Sequence, residues 1–537
     1  MIERIRFASQ KPYKPLIIKL FMKKNYLFLL LLMTSYANAA IIYVNKNATG
    51  ANNGSSWTNA YTTIEAAFAN SIVGDKIWIA QGVYKPTGTT RSTTYNIPNG
   101  VEVYGSFAGT ETNVNQRDFS NGPTTTLNGD INTVGVQTDN CWSVVKFTNV
   151  SSLTIFDGFK IINGYNNSST YGGAIYNSGG QPTIRNCEMI ANYATDGGAF
   201  GNATTEANVT TLINCKIRNN SATEGGAIFN QSGTLKLINC DVTSNTAGYG
   251  GAIHVEFDHV IIDRGIFSGN SASASGGVVY LDNSDTSIEF NNSLLVGNFA
   301  PEKSVMGMNS PVSNTNISKF IGCTIVNNRN TGTNPNSSFI IVLPYNNGYF
   351  QNNIMTNNTS PRVLLNGYVS NCVIDQTIAA NSTANLSTTT PTFINANNPT
   401  AAPFAHDDYN YRLASGSVGI NGGSNGFISP LYTLDLNGTT RIYDTTVDVG
   451  AYEFNPSLGI DDVEEKNRIN VYPNPTNGIV NFVGITGDFG YEIYSITGAL
   501  VKKGIVTTTS TLNISDLNAG VYIVKTSTYE AIRLVKK

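Results

Sequence analysis

Hydrophobic and polar positions repeat through the middle of the chain with a period of 25–30 residues. Successive copies can be aligned on eight anchors, which are 29, 28, 25, 25, 28, 30 and 30 residues apart: Gly158, Cys187, Cys215, Cys240, Gly265, Ser293, Cys323 and Asn353. Every residue three positions before an anchor is large and apolar: Ile155, Ile184, Leu212, Leu237, Ile262, Phe290, Phe320 and Phe350. Two positions after the anchors, only Lys160 interrupts an apolar set.

These repeats contain short β-type runs and turn residues, without the 3.6-residue periodicity of helices. We therefore interpret each repeat as one coil of a parallel β-helix, in which equivalent residues stack about 4.8 Å apart. The apolar positions then form a continuous core that no single repeat could bury. Leu212, Leu237 and Ile262 are expected to contact one another in succession.

Asparagine and glycine occupy positions where the coils must turn. All eight residues five positions after the anchors are asparagine: Asn163, Asn192, Asn220, Asn245, Asn270, Asn298, Asn328 and Asn358. Asparagine tolerates a left-handed bend, and its amide can bridge to the next copy. Pairs of glycines begin at Gly172, Gly197, Gly225, Gly250 and Gly276. A phosphate-binding loop would occur once, before a helix, so five copies argue against one and predict no cofactor.

The cysteines Cys187, Cys215 and Cys240 fit small inward positions, where a thiol behaves as a weak hydrophobe. We expect free buried thiols. A disulfide between adjacent coils stays open as the alternative in an oxidising compartment. Zinc is disfavoured because no C-x-x-C spacing or nearby histidine supports it.

Both ends of the solenoid need caps, since they would otherwise expose strand edges and core. An apolar stripe at i, i+4, i+7 and i+11 predicts a capping helix within 52–72, through Trp57, Tyr61, Ile64 and Phe68. At the other end, four charged residues could close the last coil as a clasp: Asp435, Arg441, Asp448 and Glu453. Asp435 and Asp448 are also candidates for a calcium site; otherwise the sequence predicts no metal.

The stretch from Met22 has two lysines, an apolar run and Ala37-Asn38-Ala39, which is the order of a secretory signal peptide. Residues 1–39 are therefore predicted to be a signal peptide cleaved before Ala40, with Met22 as the favoured true start. No later segment resembles a membrane span, so the mature chain is expected to lack one.

The formal net charge is −3 and charged residues make up 13% of the 537 residues. Without a basic patch, nucleic acid is not expected as a partner. A surface rich in Asn, Thr, Ser and Gly is common in extracellular β-rich proteins. Residues 40–454 are assigned to the β-helix and the acidic, turn-rich residues 455–468 to a linker.

Residues 469–537 contain short alternating strands between Asn-Gly, Thr-Gly and Ala-Gly turns, which predict a small β-sandwich. VYPNPTNG (471–478), YSITGALV (494–501) and LNAGVYIVK (517–525) closely resemble the C-terminal sorting domain of type IX secretion cargo. The matching motif residues are Pro473, Asn474, Pro475, Gly520 and Tyr522. This resemblance implies the type IX machinery as a partner, and a secreted or outer-membrane surface protein of a Gram-negative bacterium.

The GGAIYN and NC-x-I repeats resemble right-handed β-helix proteins, including polymorphic outer-membrane-protein repeats and choice-of-anchor surface proteins. The resemblance covers roughly 41–454. The fold class expected is thus all-β, a right-handed parallel β-helix with an N-terminal capping helix, followed by the small sandwich. This pectin lyase-like fold hosts lyases, hydrolases and adhesins, so it does not assign an activity.

Two outward columns are candidates for function. The residues before the glycine pairs include Asp196 and Glu224 on adjacent coils, weak catalytic candidates whose spacing resembles that of a retaining glycosidase; the alternative is two solvated acids. Strand alternation also predicts an exposed aromatic column, a candidate for binding sugar rings: Tyr176, Phe229, His254 and Tyr280. Mutual stacking that stabilises this face is the alternative.

The leading hypothesis is a noncatalytic, adhesin-like protein that binds extracellular polysaccharide or a host or neighbouring cell surface. The rival is a polysaccharide lyase or glycoside hydrolase, although the paired-Asp motifs of polygalacturonases and a Lys/Arg column suited to a lyase are absent. A structural coat component is the third hypothesis.

Overall fold

The structure, a computed structural model, describes residues 39–456 and 470–537. Within these ranges, the undescribed positions are 169, 284, 310–316, 333–339, 344–347, 360, 361, 366, 367, 376, 380, 381, 397–408, 473, 484–488, 496–498, 508–510 and 527–531. The described residues form two compact units, divided between positions 454 and 455. The predicted signal peptide, apart from Ala39, and the predicted linker from 457 onward lie outside the described residues.

The first unit is a parallel β-helix whose largest sheet, face A, contributes up to two strands to each coil. One row of strands comprises Ile41–Val44, Lys76–Ala80, Glu102–Phe107, Ile155–Asp157, Thr183–Arg185, Val209–Ile213, Thr234–Ile238, Asp258–Asp263, Thr286–Asn291, Lys319–Ile321, Tyr349–Gln351, Tyr368–Ile374 and Ser382–Ser387. The other row comprises Gly82–Tyr84, Thr125–Asn128, Phe159–Ile162, Glu188–Ile190, Lys216–Arg218, Asp241–Thr243, Ile266–Ser268, Leu294–Val296, Thr324–Val326 and Ile354–Thr356.

Two further parallel sheets close the coils. Face C contains Tyr165–Asn166, Tyr193–Asp196, Ser221–Glu224, Thr246–Tyr249, Ser271–Ser275, Phe299–Ala300 and Arg329–Asn330. Face B contains Tyr95–Asn96, Val145–Thr148, Ile175–Ser178, Phe200–Ala203, Ile228–Ser232, Ile253–Val255, Val279–Leu281 and Met306–Met308. Each glycine pair lies between a strand of face C and the following strand of face B.

The predicted core column is confirmed. Leu212 is in register with Leu237, and Leu237 with Ile262, on parallel neighbouring strands. All three side chains are fully buried in the core cluster that runs along the solenoid. Stacking of equivalent residues from successive coils therefore builds the interior, as the period of the sequence predicts.

The structure corrects the alignment of the first coil by one residue. Ile161, and not Lys160, pairs with Met189, so the one polar exception in the predicted apolar column disappears. Gly158 takes the left-handed corner (φ +88°) that Asn186 takes in the next coil (φ +52°). The equivalent positions therefore move from Ile155, Gly158 and Asn163 to Phe156, Phe159 and Gly164.

The N-terminal helix is present but shorter than predicted, spanning Ile64–Ala69 with Thr63 as its N-cap. Tyr61 instead forms a β-bridge with Val44. Trp57 packs against Trp78 in a separate aromatic cluster. The segment before the helix is rich in Asn, Gly and Ser, which favour turns over helix. Short 3-10 helices occur at Val114–Gln116, Gln137–Asp139 and Asn425–Phe427.

After the regular coils, the first unit contains two smaller sheets. A parallel one comprises Val342–Leu343, Arg362–Leu365 and Thr377–Ala379, and an antiparallel pair comprises Phe393–Asn395 and Asn410–Leu413. Residues from the segment after this pair pack on face A, where they form a second apolar cluster with residues of the second strand row, such as Val326 and Ile354.

The second unit is antiparallel, as expected for a small β-sandwich. One sheet comprises Asn470–Tyr472, Ile479–Val483 and Leu512–Asn513. The other comprises Leu500–Val506, Phe489–Ser495, Gly520–Thr526 and Ile532–Lys536, in that spatial order. Residues of both sheets, including Val480 and Val524, form one buried core.

Candidate functional site

The glycine pairs place a charged or aromatic residue over face B. In Gly197, the left-handed backbone (φ +70°) turns the chain, and a Cβ there would lie 2.9 Å from the backbone nitrogen of Phe229 in the next coil. In Gly198, a Cβ would lie 2.3 Å from the carbonyl oxygen of Gly226. Only glycine permits this approach of neighbouring coils. As a result, the residues before three of the pairs lie against the outer surface of face B: Tyr171, Glu224 and Tyr249.

The predicted aromatic column exists, but its predicted exposure is wrong for three of the four side chains. Phe229 is in register with His254, and His254 with Tyr280. Their exposed fractions are 3%, 1% and 8%. Tyr176 alone is half-buried, with the Lys146 Nζ atom 5.3 Å from its ring centroid. The column does point outward, as alternation predicts.

This column is buried because the residues before the glycine pairs cover it. The ring of Tyr171 stacks on that of Phe229, with centroids 5.0 Å apart, and its hydroxyl accepts a hydrogen bond from Gln231 Nε2 at 2.7 Å. Tyr249 covers Tyr280, with centroids 4.8 Å apart, and is itself 40% exposed. The two columns predicted separately therefore form one surface, whose outermost ring is Tyr249.

Asp196 and Glu224 are in register on adjacent strands of face C, as predicted. Both side chains are half-buried. Burial raises the pKa of the Asp196 carboxyl. It also raises the pKa of Glu224, with a further contribution from the negative charges of Asp196, Asp282 and Glu256.

We name the carboxylates of Asp196, Glu224, Glu256 and Asp282 the acidic patch. Among the described residues, none of the four pairs with a lysine or arginine. Burial, together with Asp282 and Asp196, raises the pKa of Glu256 as well. Glu256 and Asp282 follow the face B strands Ile253–Val255 and Val279–Leu281. The patch was not predicted as a set, because its members come from different columns of the repeat.

His254 lies beneath this patch. Its Nδ1 atom is 3.6 Å from Oε2 of Glu224, and neither ring nitrogen has a hydrogen-bond partner among the described residues. Desolvation lowers the pKa of His254 to about 4, against an opposing effect of the Asp282 charge. The imidazole is therefore neutral at neutral pH, and it does not neutralise the acidic patch.

Two ladders of buried asparagines run along the inside of the coils. In the predicted ladder, the Nδ2 atom of Asn220 donates to Oδ1 of Asn245 at 3.0 Å, and that of Asn245 to Asn270 at 3.0 Å. A second ladder under face B was missed: Asn177 donates to Asn202, and Asn202 to Asn230, both at 2.8 Å. The signal for it was asparagine two residues after each of Ile175, Phe200 and Ile228.

The cysteines of the predicted column are free and buried. Burial raises the pKa of Cys187 to about 12 and raises that of Cys215. These thiols therefore stay protonated and act as part of the core.

Asp435, Arg441, Asp448 and Glu453 do meet in a buried clasp. Arg441 contacts Glu453 at 3.2 Å and donates to the carbonyl oxygens of Asp448 and Gly450. Asp435 accepts from the backbone nitrogen atoms of Thr439 and Glu453, at 2.8 and 3.0 Å. Arg441 supplies the positive charge that a cation would bring, so we interpret the clasp as structural. Among the described residues, no group of three or more His, Cys, Asp or Glu side chains is placed to hold a metal ion.

Four of the sorting-motif residues lie in the described part of the second unit, and Pro473 lies outside the described residues. The side chain of Asn474 accepts from the Val535 backbone nitrogen at 2.9 Å and donates to the Arg533 carbonyl oxygen at 2.7 Å. Pro475 follows it directly in the turn before Ile479–Val483. Gly520 begins the strand Gly520–Thr526, and the Tyr522 hydroxyl donates to the Asn518 carbonyl oxygen at 2.8 Å.

Residues 470–537 match the family of secretion system C-terminal sorting domains. No curated protein matches the chain. Among solved structures, the pectate lyase Pel9A is similar over 78% of this chain and 97% of its own, at 17% identity and a TM-score of 0.47. A pectin methylesterase from Aspergillus niger is similar over 66% of this chain and 86% of its own, at 14% identity and a TM-score of 0.25. A polygalacturonase from Erwinia carotovora ssp. carotovora is similar over 66% of this chain and 95% of its own, at 10% identity and a TM-score of 0.28.

Similarity at this level carries no argument about activity, so any functional inference must rest on the residues of this chain. No helix among the described residues is long and apolar enough to cross a membrane. The C-terminal match implies export through the type IX secretion machinery. The chain is therefore a parallel β-helix protein that ends in a type IX sorting domain.

Proposed function

We propose that this exported β-helix is a noncatalytic binding protein of the cell surface or its surroundings, and that it binds glycans on the outer surface of face B. The carrying observation is the acidic patch, whose carboxylates lie close enough to Tyr171 and Tyr280 to add to burial in raising their pKa values and have no lysine or arginine partner among the described residues. Carboxylates accept hydrogen bonds from sugar hydroxyls, and exposed rings offer a flat apolar surface.

The sign of the charge selects among glycans. A patch with raised carboxyl pKa values repels polyuronates such as pectate or alginate, because their own carboxylates would be brought into a site that already destabilises negative charge. Neutral glycans and glycans with amino groups avoid this penalty, and an ammonium group would be attracted. The patch therefore opposes the lyase alternative at this site.

A glycoside hydrolase is the second candidate, and the pairing of Asp196 with Glu224 favours it. Neighbouring strands lie about 4.8 Å apart, close to the roughly 5 Å between the carboxyls of retaining glycosidases. Such an enzyme needs one carboxyl protonated and the other ionised. Burial raises both pKa values, and the negative charge of Asp196 raises that of Glu224 further, so Glu224 would be the protonated acid of such a pair.

A glycan array with the mature β-helix tests the proposal. We expect binding to neutral or amino-bearing glycans but not to polyuronates, with loss of binding in Tyr249→Ala and Glu224→Gln. Tyr368→Ala and Glu289→Gln on face A are matched controls, since Tyr368 is exposed and stacks on Tyr349 and Glu289 pairs with Lys319. Binding that survives both patch variants, or that prefers polyuronates, would contradict the proposal.

Product analysis separates the second candidate from the first. The purified chain is incubated with each bound glycan, and new reducing ends are measured. Release that is abolished by both Asp196→Asn and Glu224→Gln would establish a hydrolase. Binding without release, and loss of cell attachment when the gene is deleted, would support the adhesin-like role.

A further inference from the structure

The first strand of face A begins next to a buried carboxylate. The backbone nitrogen of Ala40 donates to Oδ1 of Asp75 at 2.9 Å, and that of Ile72 donates to Oδ2 at 2.9 Å. Asp75 is only 5% exposed. The same junction pairs the two strands, since the Lys76 backbone nitrogen donates to the Ala40 carbonyl oxygen at 2.8 Å.

Asp75 has no cationic partner among the described residues. The neighbouring Lys76 side chain pairs with Glu102 at 3.1 Å. This buried carboxylate accepts hydrogen bonds from two backbone amides and has no ion-pair partner, so a positive charge at the Ala40 nitrogen would add an attraction that the amides do not supply. Ala40 itself is exposed, so a charge at its nitrogen would remain partly solvated on the side away from Asp75.

We propose that Asp75 binds the α-ammonium group of a mature chain that begins at Ala40. Two independent observations support it: the buried carboxylate that lacks a cation, and the Ala37-Asn38-Ala39 pattern that places the cleavage of the signal peptide directly before Ala40. A signal peptidase would hydrolyse the amide bond between Ala39 and Ala40. Water adds across the bond, Ala39 leaves as a carboxylate, and the released amine of Ala40 takes up a proton.

Cleavage then adds a positive charge to the donor of a hydrogen bond whose acceptor is already ionised, and so turns that bond into a hydrogen-bonded ion pair at the same nitrogen atom. Removal of the signal peptide thereby fastens the first strand, Ile41–Val44, to the second, Lys76–Ala80, at the otherwise open N-terminal end of face A. The precursor lacks this ion pair, so processing and completion of the N-terminal coil are coupled.

The experiment has two parts. N-terminal sequencing of the exported protein is expected to give Ala40 as the first residue. Mature chains that start at Ala40 or at Ala39, each with and without Asp75→Asn, are then compared by denaturant unfolding. The Ala39 start keeps an amide N–H at position 40 but moves the charge away, and Asp75→Asn keeps an acceptor but removes the carboxylate.

We expect Asp75→Asn to raise the unfolding equilibrium constant roughly tenfold more in the Ala40 chain than in the Ala39 chain. The α-ammonium loses its proton above about pH 8, so this difference should shrink at pH 10. A different mature N-terminus, or equal effects of Asp75→Asn in the two chains, would overturn the proposal. Because neither readout involves a glycan, failure here leaves the proposed binding function untouched.

Discussion

Oε2 of Glu224 lies 3.6 Å from Nδ1 of His254, whose ring nitrogens form no hydrogen bond among the described residues. A carboxylate and an imidazole thus meet on adjacent coils, and burial keeps the imidazole neutral. This contact links the column before the glycine pairs to the outward column of face B. It also gives the acidic patch a dependence on pH that can be measured.

Acidification is expected to destabilise the β-helix through His254. Its pKa falls from about 6.5 in the unfolded chain to about 4 in the fold, so the unfolded state binds the extra proton between these values. Stability is therefore fully present above pH 6.5 and is lost as the pH falls towards 4, by up to about 3 kcal/mol. Asp196 and Glu224 act in the opposite direction, since their pKa values are raised.

The measurement is the free energy of unfolding of the wild type and of His254→Phe at pH 7.5 and pH 4.5. Phenylalanine suits the site because Phe229 occupies the same column. On acidification, the free energy of unfolding should fall more in the wild type than in His254→Phe. His259→Gln, at an exposed position, is the control. An unchanged difference would show that His254 does not titrate as argued.

Truncation in the core column should be costly. Leu237→Ala is expected to reduce the free energy of unfolding by about 2–5 kcal/mol, because it removes buried methyl groups and leaves a cavity between two coils. Denaturant unfolding measures the loss. Lys236→Ala, on the outward side of the same strand, should change it by less than about 1 kcal/mol. Comparable effects of the two substitutions would contradict the stacked core.

A substitution in the buried asparagine ladder should lower the free energy of unfolding more than the substitution of an exposed polar residue does. Asn245→Ala removes the acceptor of Asn220 and the donor to Asn270 and to the Ile217 carbonyl oxygen. Each buried group left unsatisfied costs about 1–3 kcal/mol, so we expect a total loss of about 3 kcal/mol or more. Asn214→Gly, in the exposed ladder at the neighbouring corner, keeps the left-handed backbone (φ +53°) and should cost less than about 1 kcal/mol when unfolding is measured in the same way.

The clasp should fail if one charge is removed alone. Arg441→Leu leaves Glu453 buried without its partner and is expected to cost about 3–5 kcal/mol. The double variant Arg441→Leu/Glu453→Leu should recover part of this loss, because no buried charge remains unpaired. Limited proteolysis of the segment after 410, together with denaturant unfolding, measures the effect. Lys319→Leu, which breaks a partly exposed pair, should cost about 1 kcal/mol or less. A single variant as stable as the double variant would contradict this account.

The period of the sequence determined the coil, the core column, the asparagine ladder and the glycine turns. Stacking of similar side chains imposes the same constraint on every coil. It can therefore be recognised in the sequence wherever successive copies can be aligned. The alignment is wrong in the first coil, which has a different residue at its corner. It places Gly158 at an inward position, whereas Gly158 occupies the left-handed corner that Asn186 occupies in the next coil. The sorting motif could also be recognised from the sequence, because its residues are close in sequence and specific in combination.

The tertiary structure alone decided which outward residues face solvent. Alternation along a strand distinguishes the inner from the outer side, but it cannot show that a turn from another coil lies on the outer side. The turn at Gly225 lies next to the backbone of His254, and the Glu224 carboxylate lies 3.6 Å from the His254 ring, so a column that points outward is nevertheless buried. The acidic patch and the contact between Asp75 and the Ala40 nitrogen arise in the same way, from residues of different columns or distant strands brought together by the coil.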